Sequence, residues 1–273
     1  MPLLSSRVSV PPPVAAPCCP VCRTRPRRSF LAGHGPADRR VRFHACGRCG
    51  LRYQEASPNE DGSIYAEVEV AREERFGAAG PALVLDDDAL RCFRELAPGP
   101  RLLDVGSGDG RFLQAAAARG FLTEGVDISP TLARAAEARS GCRVHVGALV
   151  DLRLPAAAFD AVNLDLVLMY VPDPPGMLRE VARLLRPGGV CRVREYFADS
   201  LNARARRERW WFYCESTLRA FTRRSLARAA AEAGLEWARW YPGTEVSPGT
   251  WCGYSARKGM RSGVAQRVKY WAK

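Results

Sequence analysis

The stretch that decides the fold is Arg101-Leu102-Leu103-Asp104-Val105-Gly106-Ser107-Gly108-Asp109-Gly110-Arg111-Phe112-Leu113, followed by an alanine-rich segment and then Thr123-Glu124-Gly125-Val126-Asp127-Ile128. Leu102, Leu103 and Val105 form a short apolar run that ends in glycines, and Phe112, Leu113, Ala116 and Ala117 then recur at helical spacing. The order is strand, glycine turn, helix. A second apolar run, Phe121 to Ile128, closes the unit and carries Asp127 17 residues beyond Gly110. Together these make a β-α-β unit of nucleotide-binding type.

Gly106, Gly108 and Gly110 have a physical task in such a unit. A turn without Cβ atoms lets a ligand touch the backbone and brings the helix N-terminus to face it. Asp127, at the end of the second strand, is placed to accept the hydroxyls of a ribose, and its distance from the glycines is close to the usual figure of about 20 residues.

The glycines are spaced Gly-x-Gly-x-Gly with Asp104 just before them. With those residues the segment resembles the first motif of class I S-adenosylmethionine-dependent methyltransferases, and the resemblance runs from Arg101 to about Lys258. It implies an α/β fold, a Rossmann-like seven-stranded and mostly parallel sheet flanked by helices, with S-adenosylmethionine as methyl donor. It also implies the donor contacts: Asp104, Gly106, Ser107, Gly108, Gly110, Asp127 and Ile128 at the first two strands, Ala148 and Leu149 where this family passes a loop over the adenine, and Asp165 after the fourth strand. Many relatives have an acid directly after the glycine of that loop, whereas this chain has Ala148, so Asp151 or backbone groups around Leu149 take the adenine.

Downstream the chain keeps the family's order. Ser129 and Pro130 suit the N-cap and first position of a helix reaching Arg139. Arg143 to Val146 reads as a third strand, and Phe159-Asp160-Ala161-Val162 matches the family's Phe-Asp-x-Val start of the fourth. Leu178, Val181, Ala182 and Leu185 mark a helix stopped by Pro187-Gly188-Gly189, before a fifth strand from Val190 to Tyr196. Leu226, Ala229, Ala230 and Ala233 mark another helix, and strands near Leu235 to Tyr241 and Thr250 to Arg257 complete the seven. After the fourth strand many relatives read Val-Leu-Glu-His-Val-Pro-Asp-Pro. Here the loop is Val167-Leu168-Met169-Tyr170-Val171-Pro172-Asp173-Pro174, so its acid and histidine, the most obvious general base, are absent.

Methyl transfer from a sulfonium needs alignment more than proton transfer, because the donor carries its own activation. A base matters only for a poorly nucleophilic acceptor. The catalytic residue is therefore left open, with Tyr170, Glu195 and Tyr196 as candidates by position. Glu195 has the alternative of pairing with Arg192 or Arg194, and Tyr170 that of capping the core. His145, inside a short strand, reads as a packed histidine. Residues 197–221 form the expected substrate-facing cap, where Arg204, Arg206, Arg207 and Arg209 precede Trp210-Trp211-Phe212-Tyr213. Two readings stand equal: aromatics lining an acceptor pocket with arginines gripping a phosphate or carboxylate, or aromatics packed inward with the arginines solvated.

Ahead of this domain, Cys18-Cys19-Pro20-Val21-Cys22 and Cys46-Gly47-Arg48-Cys49-Gly50 hold two Cys-x-x-Cys pairs separated by 23 residues. Four sulfurs in two knuckles, Cys19, Cys22, Cys46 and Cys49, suit tetrahedral zinc. Cys18 is the alternative to Cys19, although the Cys-Pro-x-Cys form favours the latter. A ribbon this small has too little core to fold without metal. Four sulfur ligands leave no open position for chemistry, so the zinc is structural.

The chain thus divides into a disordered tail at 1–17, a zinc ribbon at 18–54, and a linker with cap helices at 55–99, in which the resemblance makes Tyr65 a candidate to cover the donor, with a buried packing tyrosine as the equal alternative. The methyltransferase-like domain follows at 100–258 and a basic tail at 259–273. No run approaches the roughly 20 apolar residues of a membrane span. The first 17 residues lack the pattern of a secretory signal, and cysteines scattered singly among apolar residues fit a reducing cytoplasm. The net charge of +12 raises nucleic acid as a partner. Only Lys258, Lys269 and Lys273 are lysine among 41 basic residues, so the excess follows an arginine-rich composition.

A small molecule is therefore the first expectation for the acceptor. The resemblance extends to bacterial methyltransferases of nucleotide sugars, cell-envelope compounds and specialised metabolites. RNA comes second: the ribosomal RNA guanine-N1 methyltransferases also carry an N-terminal zinc site, but with a Cys-x-x-x-His pair that is missing here. The intact glycines and Asp127 argue against a third reading, a catalytically silent binding protein.

Overall fold

The computed structural model describes residues 17–33, 41–54, 87–214, 216–242 and 250–257. Tyr65, the expected helix around it and both expected tails lie outside the described residues, apart from Pro17.

From the N-terminus, β1 (Pro26–Ala32) and β2 (Val41–Cys46) form an antiparallel hairpin between the two cysteine knuckles, and β3 (Arg52–Tyr53) follows. After α1 (Asp87–Leu96) come β4 (Arg101–Val105), α2 (Arg111–Ala118), β5 (Leu122–Asp127), α3 (Pro130–Ser140) and β6 (Val144–Val146). The second half comprises β7 (Phe159–Asp165), α4 (Pro174–Leu184), β8 (Leu185–Tyr196), α5 (Leu201–Arg206), β9 (Arg219–Ala220), α6 (Arg223–Glu232), β10 (Leu235–Pro242) and β11 (Thr250–Arg257).

The large sheet has the order β10-β11-β8-β7-β4-β5-β6. Its parallel part has five strands rather than seven, β8-β7-β4-β5-β6. The two remaining strands extend one edge, β11 antiparallel to both β8 and β10. Both faces of the parallel part are covered, which is why its strands read as nearly continuous apolar runs. Leu102, Ala161 and Val190 pack with Leu90 and Phe93 of α1 and Ala115 and Ala116 of α2. Their strand neighbours Leu103, Val162 and Cys191 pack on the opposite side with α4 and α6, as the alternation of side chains along a strand requires.

Helix ends follow local chemistry. The Ser129 hydroxyl accepts from Leu132 N at 3.3 Å with Pro130 at the first turn of α3. Thr222 and Ser225 form a reciprocal capping box on α6, at 3.1 and 2.8 Å.

The cysteine ribbon is fused to the sheet domain. A second sheet has the order β1-β2-β3-β9, and β9 comes from the segment expected to be a substrate cap. Val21, Leu51 and Tyr53 of the ribbon share one buried cluster with Phe197, Phe221 and Leu226. The Thr222 hydroxyl that caps α6 also donates to the Cys49 carbonyl at 3.1 Å.

Candidate functional site

The site lies at the C-terminal ends of the parallel strands. There the chain reverses direction across the sheet between β4 and β7, the crevice where open α/β sheets bind ligands. Gly106, Gly108 and Gly110 all have positive φ, at 71°, 53° and 81°. A Cβ on Gly106 would stand 2.6 Å from Val167 Cγ2, and one on Gly110 would stand 2.6 Å from Ala136 Cα, so these two glycines permit the loop and the α2–α3 contact to close. Gly108 differs: a Cβ there would meet nothing within 4 Å. Its backbone faces open space, as a ligand cradle requires.

Asp127 ties this loop to β5. Its Oδ2 accepts from Gly108 N and its Oδ1 from Ser129 N, both at 2.8 Å. Each carboxylate oxygen has two acceptor positions, so one on each remains for a hydroxyl. Burial raises the Asp127 pKa, opposed by those two amide bonds. The Ser107 hydroxyl is buried and has no hydrogen-bond partner among the described residues. An open cradle, an orphaned hydroxyl and a half-used carboxylate fit a nucleoside ligand. Ile128 follows Asp127 directly, and Leu149, 1% exposed beside the half-buried Ala148, starts a 3-10 turn after β6. Asp151 in the same turn is exposed.

A polar ladder runs across the strand ends on one face. Asp104, Asn163 and Arg192 stand in register on β4, β7 and β8, and Asp165 and Arg194 form the next rung. Asn163 Nδ2 donates to Asp104 Oδ1 at 2.8 Å, and Arg192 Nη1 donates to Asn163 Oδ1 at 2.9 Å. Arg192 and Arg194 bridge to Asp165 at 3.4 and 2.6 Å. Burial raises the Asp104 pKa to about 7, with the Asn163 bond opposing. Asp165 is therefore engaged with two guanidiniums, while its side chain stays 26% exposed at the site.

The candidates for chemistry separate. Glu195 pairs with neither Arg192 nor Arg194. It is 1% exposed, its Oε1 accepts from Met169 N at 3.2 Å, and its Oε2 has no hydrogen-bond partner among the described residues. Burial pushes its pKa well up. It supports the loop after β7 from beneath. Tyr170 and Tyr196 instead join one half-buried aromatic group, with Tyr196 4.5 Å from Phe212 and 5.3 Å from Trp211 between ring centroids. Of the aromatic run, Trp210, Phe212 and Tyr213 are buried against Phe30 and Phe43 of the ribbon hairpin, so the inward-packed reading holds for them. Trp211 stays 39% exposed beside Tyr196, and Arg204, Arg206, Arg207 and Arg209 are exposed. His145 is a packed histidine bonded to Glu124 at 2.8 Å.

The four cysteines converge. The Sγ atoms of Cys19, Cys22, Cys46 and Cys49 are buried and all lie within 4.8 Å of one another. The closest pairs are Cys19–Cys49 at 3.6 Å and Cys22–Cys46 at 3.3 Å. Tetrahedral coordination at metal–sulfur bonds of about 2.3 Å needs sulfurs about 3.8 Å apart. Cys18 is exposed and outside this group, so the open choice falls to Cys19.

The methyltransferase domain family matches residues 74–238, more than half of the chain. This chain belongs to that family. Within the methyltransferases, 106 residues are 35% identical to the ubiquinone biosynthesis O-methyltransferase of Xanthomonas campestris pv. campestris (strain B100), covering 36% of this chain and 43% of that protein. The malonyl-[acyl-carrier protein] O-methyltransferase of Serratia marcescens is 34% identical over 105 residues, covering 38% of this chain and 41% of the relative. The chain thus spans less than half the length of these curated relatives. Among solved structures, an S-adenosylmethionine-dependent methyltransferase from Thermotoga maritima superposes with a TM-score of 0.55 at 22% identity, over 73% of this chain and 100% of its own. The [4+2]-cyclase SpnF superposes with 0.57 at 19% identity, over 74% and 96%. At such identities the likeness shows the fold alone, and a cyclase on the same frame shows that function has to be argued from the site.

The sequence reading missed Asn163, Arg192 and Arg194 as a unit. Their signal was present: polar residues at period two inside two apolar strands, close to the strand ends. Among the described residues no helix is long and apolar enough to cross a membrane.

Proposed function

We propose that this methyltransferase transfers a methyl group from S-adenosylmethionine to an oxygen of a small-molecule acceptor. The observation that carries the reading is the open backbone at Gly108, joined through its amide to the Asp127 carboxylate that also faces the site. When bound, the donor supplies a sulfonium-activated methyl group. The protein's part is placement: Asp127 takes the ribose hydroxyls, the Gly106–Gly110 turn admits the nucleoside to the strand ends, and the loop after β7 with Tyr170, Tyr196 and Trp211 positions the acceptor. The oxygen acceptor is inferred from the two O-methyltransferases named above, which are 35% and 34% identical to this chain over 106 and 105 residues. Tyr170 and Tyr196 supply phenolic groups that orient such an oxygen by hydrogen bonding, and its proton passes to solvent.

The four-cysteine centre is read as structural zinc, because its donor set is closed and buried. Calorimetric titration with S-adenosylhomocysteine tests the donor site. Binding by the wild type and at least about tenfold weaker binding by Asp127→Ala are expected; absence of binding to wild-type protein would refute the reading. Metal analysis should return one zinc per chain.

A further inference from the structure

A buried guanidinium outside the donor site links the cysteine centre to the loop at the acceptor end. Arg219 lies on β9 opposite Tyr53 of β3 and is 5% exposed. Its Nη1 donates to the carbonyls of Gln54 and Leu218, both at 2.9 Å, and its Nη2 to the carbonyl of Pro172 at 2.8 Å. None of these partners is a carboxylate, and Nε is buried with no hydrogen-bond partner among the described residues. An arginine cannot shed its proton in a protein, and burying its charge is costly unless an anion answers it. Three neutral carbonyls do not balance a full charge.

The anions at hand are sulfur and, directly after Pro172, the Asp173 carboxylate. Four thiolates around one divalent cation leave about two net negative charges. Those cysteines share the buried cluster that contains Tyr53, the strand partner of Arg219. Burial pulls the Arg219 pKa down to about 10, and Cys19 leads the groups acting against that, ahead of Tyr53 and Asp173. The other end of the guanidinium reaches the loop after β7. That loop is pinned from β8 at Leu166 N, which donates to Arg194 O at 2.9 Å, and at Met169 N on Glu195. From the ribbon side Arg219 grips it at Pro172. Leu166 sits at φ 56°, a strained value for leucine that persists only where the surroundings impose it.

We propose that Arg219 is the counter-charge of the four-cysteine centre and the strut by which that centre holds the 166–172 loop at the methyl-transfer site. The ribbon is then a positioning element of the catalytic domain as well as an appended fold. This rests on reading the centre as zinc and the glycine loop as the donor site.

The test uses the full chain and two variants. Arg219→Met removes charge and bridge together; Arg219→Lys keeps the charge but lacks the fork that spans the Gln54 and Pro172 carbonyls. Zinc transfer to a chromophoric chelator should be at least about tenfold faster from Arg219→Met than from wild type, and near wild type from Arg219→Lys. Hydrogen exchange at residues 168–171 should speed up in both variants and in zinc-stripped wild type, while residues 102–105 keep their protection. Equal zinc release from wild type and Arg219→Met, or unchanged exchange at 168–171, would overturn the proposal. If Arg219→Met fails to fold, Arg219→Lys still decides the strut through exchange, and zinc release from a third variant, Arg219→Gln, which removes the charge, decides the charge. A wild-type protein that binds no zinc defeats the zinc reading itself, and this proposal with it. Failure to bind S-adenosylhomocysteine defeats the donor reading by a separate measurement.

Discussion

Replacing two glycines of one loop by alanine should produce opposite failures. At Gly110 the new Cβ would stand 2.6 Å from Ala136 Cα and 2.8 Å from its carbonyl oxygen, both backbone atoms of α3. No rotamer relieves that contact, so α2 and α3 must separate. A left-handed φ of 81° adds about 1–2 kcal/mol for a residue with a Cβ, and overpacking adds about 1–3 kcal/mol. Gly110→Ala should therefore lose about 2–5 kcal/mol of stability, read as a fall of about 4–20 °C in melting temperature for a chain of this size. At Gly108 the φ of 53° lies inside the left-handed basin and the added methyl meets nothing. The cost there is about 1 kcal/mol, a shift of no more than about 4 °C. The methyl instead occupies the space in front of the backbone that the donor needs. Gly108→Ala should thus fold yet bind S-adenosylhomocysteine at least about tenfold more weakly, a loss of about 1.4 kcal/mol or more. Thermal unfolding and calorimetric titration of both variants measure the pair. A Gly108→Ala protein that binds within twofold of wild type would show that this cradle is not the donor site, and a Gly110→Ala protein melting like wild type would refute the steric argument.

Other outcomes follow from the same geometry. Burial holds the Glu195 pKa well above the ordinary carboxylate value, so its contribution to stability is present at acid pH and is lost as pH rises through the folded value. Glu195→Gln should accordingly melt at least as high as wild type at pH 8 and show a flatter dependence on pH. Asp104 acts in the same sense, with stability falling between about pH 4 and its folded value of about 7; Asp104→Asn keeps the acceptor for Asn163 and should remove that slope in urea midpoints. Stripping the metal with a chelator should lower the melting temperature by more than about 5 °C, because the ribbon and the sheet domain share one buried cluster. Trp210→Ala should cost about 3–5 kcal/mol in denaturant unfolding. Trp211→Ala should cost under about 1 kcal/mol and instead lower kcat/KM for the acceptor.

What could be read from the chain was local. Arg101 to Asp127 announces its strand, turn and helix because each step depends on neighbours within a few residues, and the observed β4, α2 and β5 keep those bounds closely. Ser129 and Pro130 placed a helix start for the same reason. The segment 197–221 could not be read that way. Its aromatics and arginines suit an acceptor pocket or a packed interior equally, and only the arrival of the ribbon hairpin from more than 150 residues away buries Trp210, Phe212 and Tyr213. Glu195 was placed at the right end of the right strand. Which face it takes, and that Asp165 rather than Glu195 answers the two arginines, depends on register between strands.

The sequence alone determined the donor-binding frame and the four metal-type cysteines, since glycine conformations, strand periodicity and Cys-x-x-Cys spacing act over a few residues at a time. Only the tertiary structure decided that the ribbon is built into the sheet domain through β9, Arg219 and the loop it grips. Pairings between residues far apart in the chain are set by which surfaces can be buried together, and no local pattern encodes that choice.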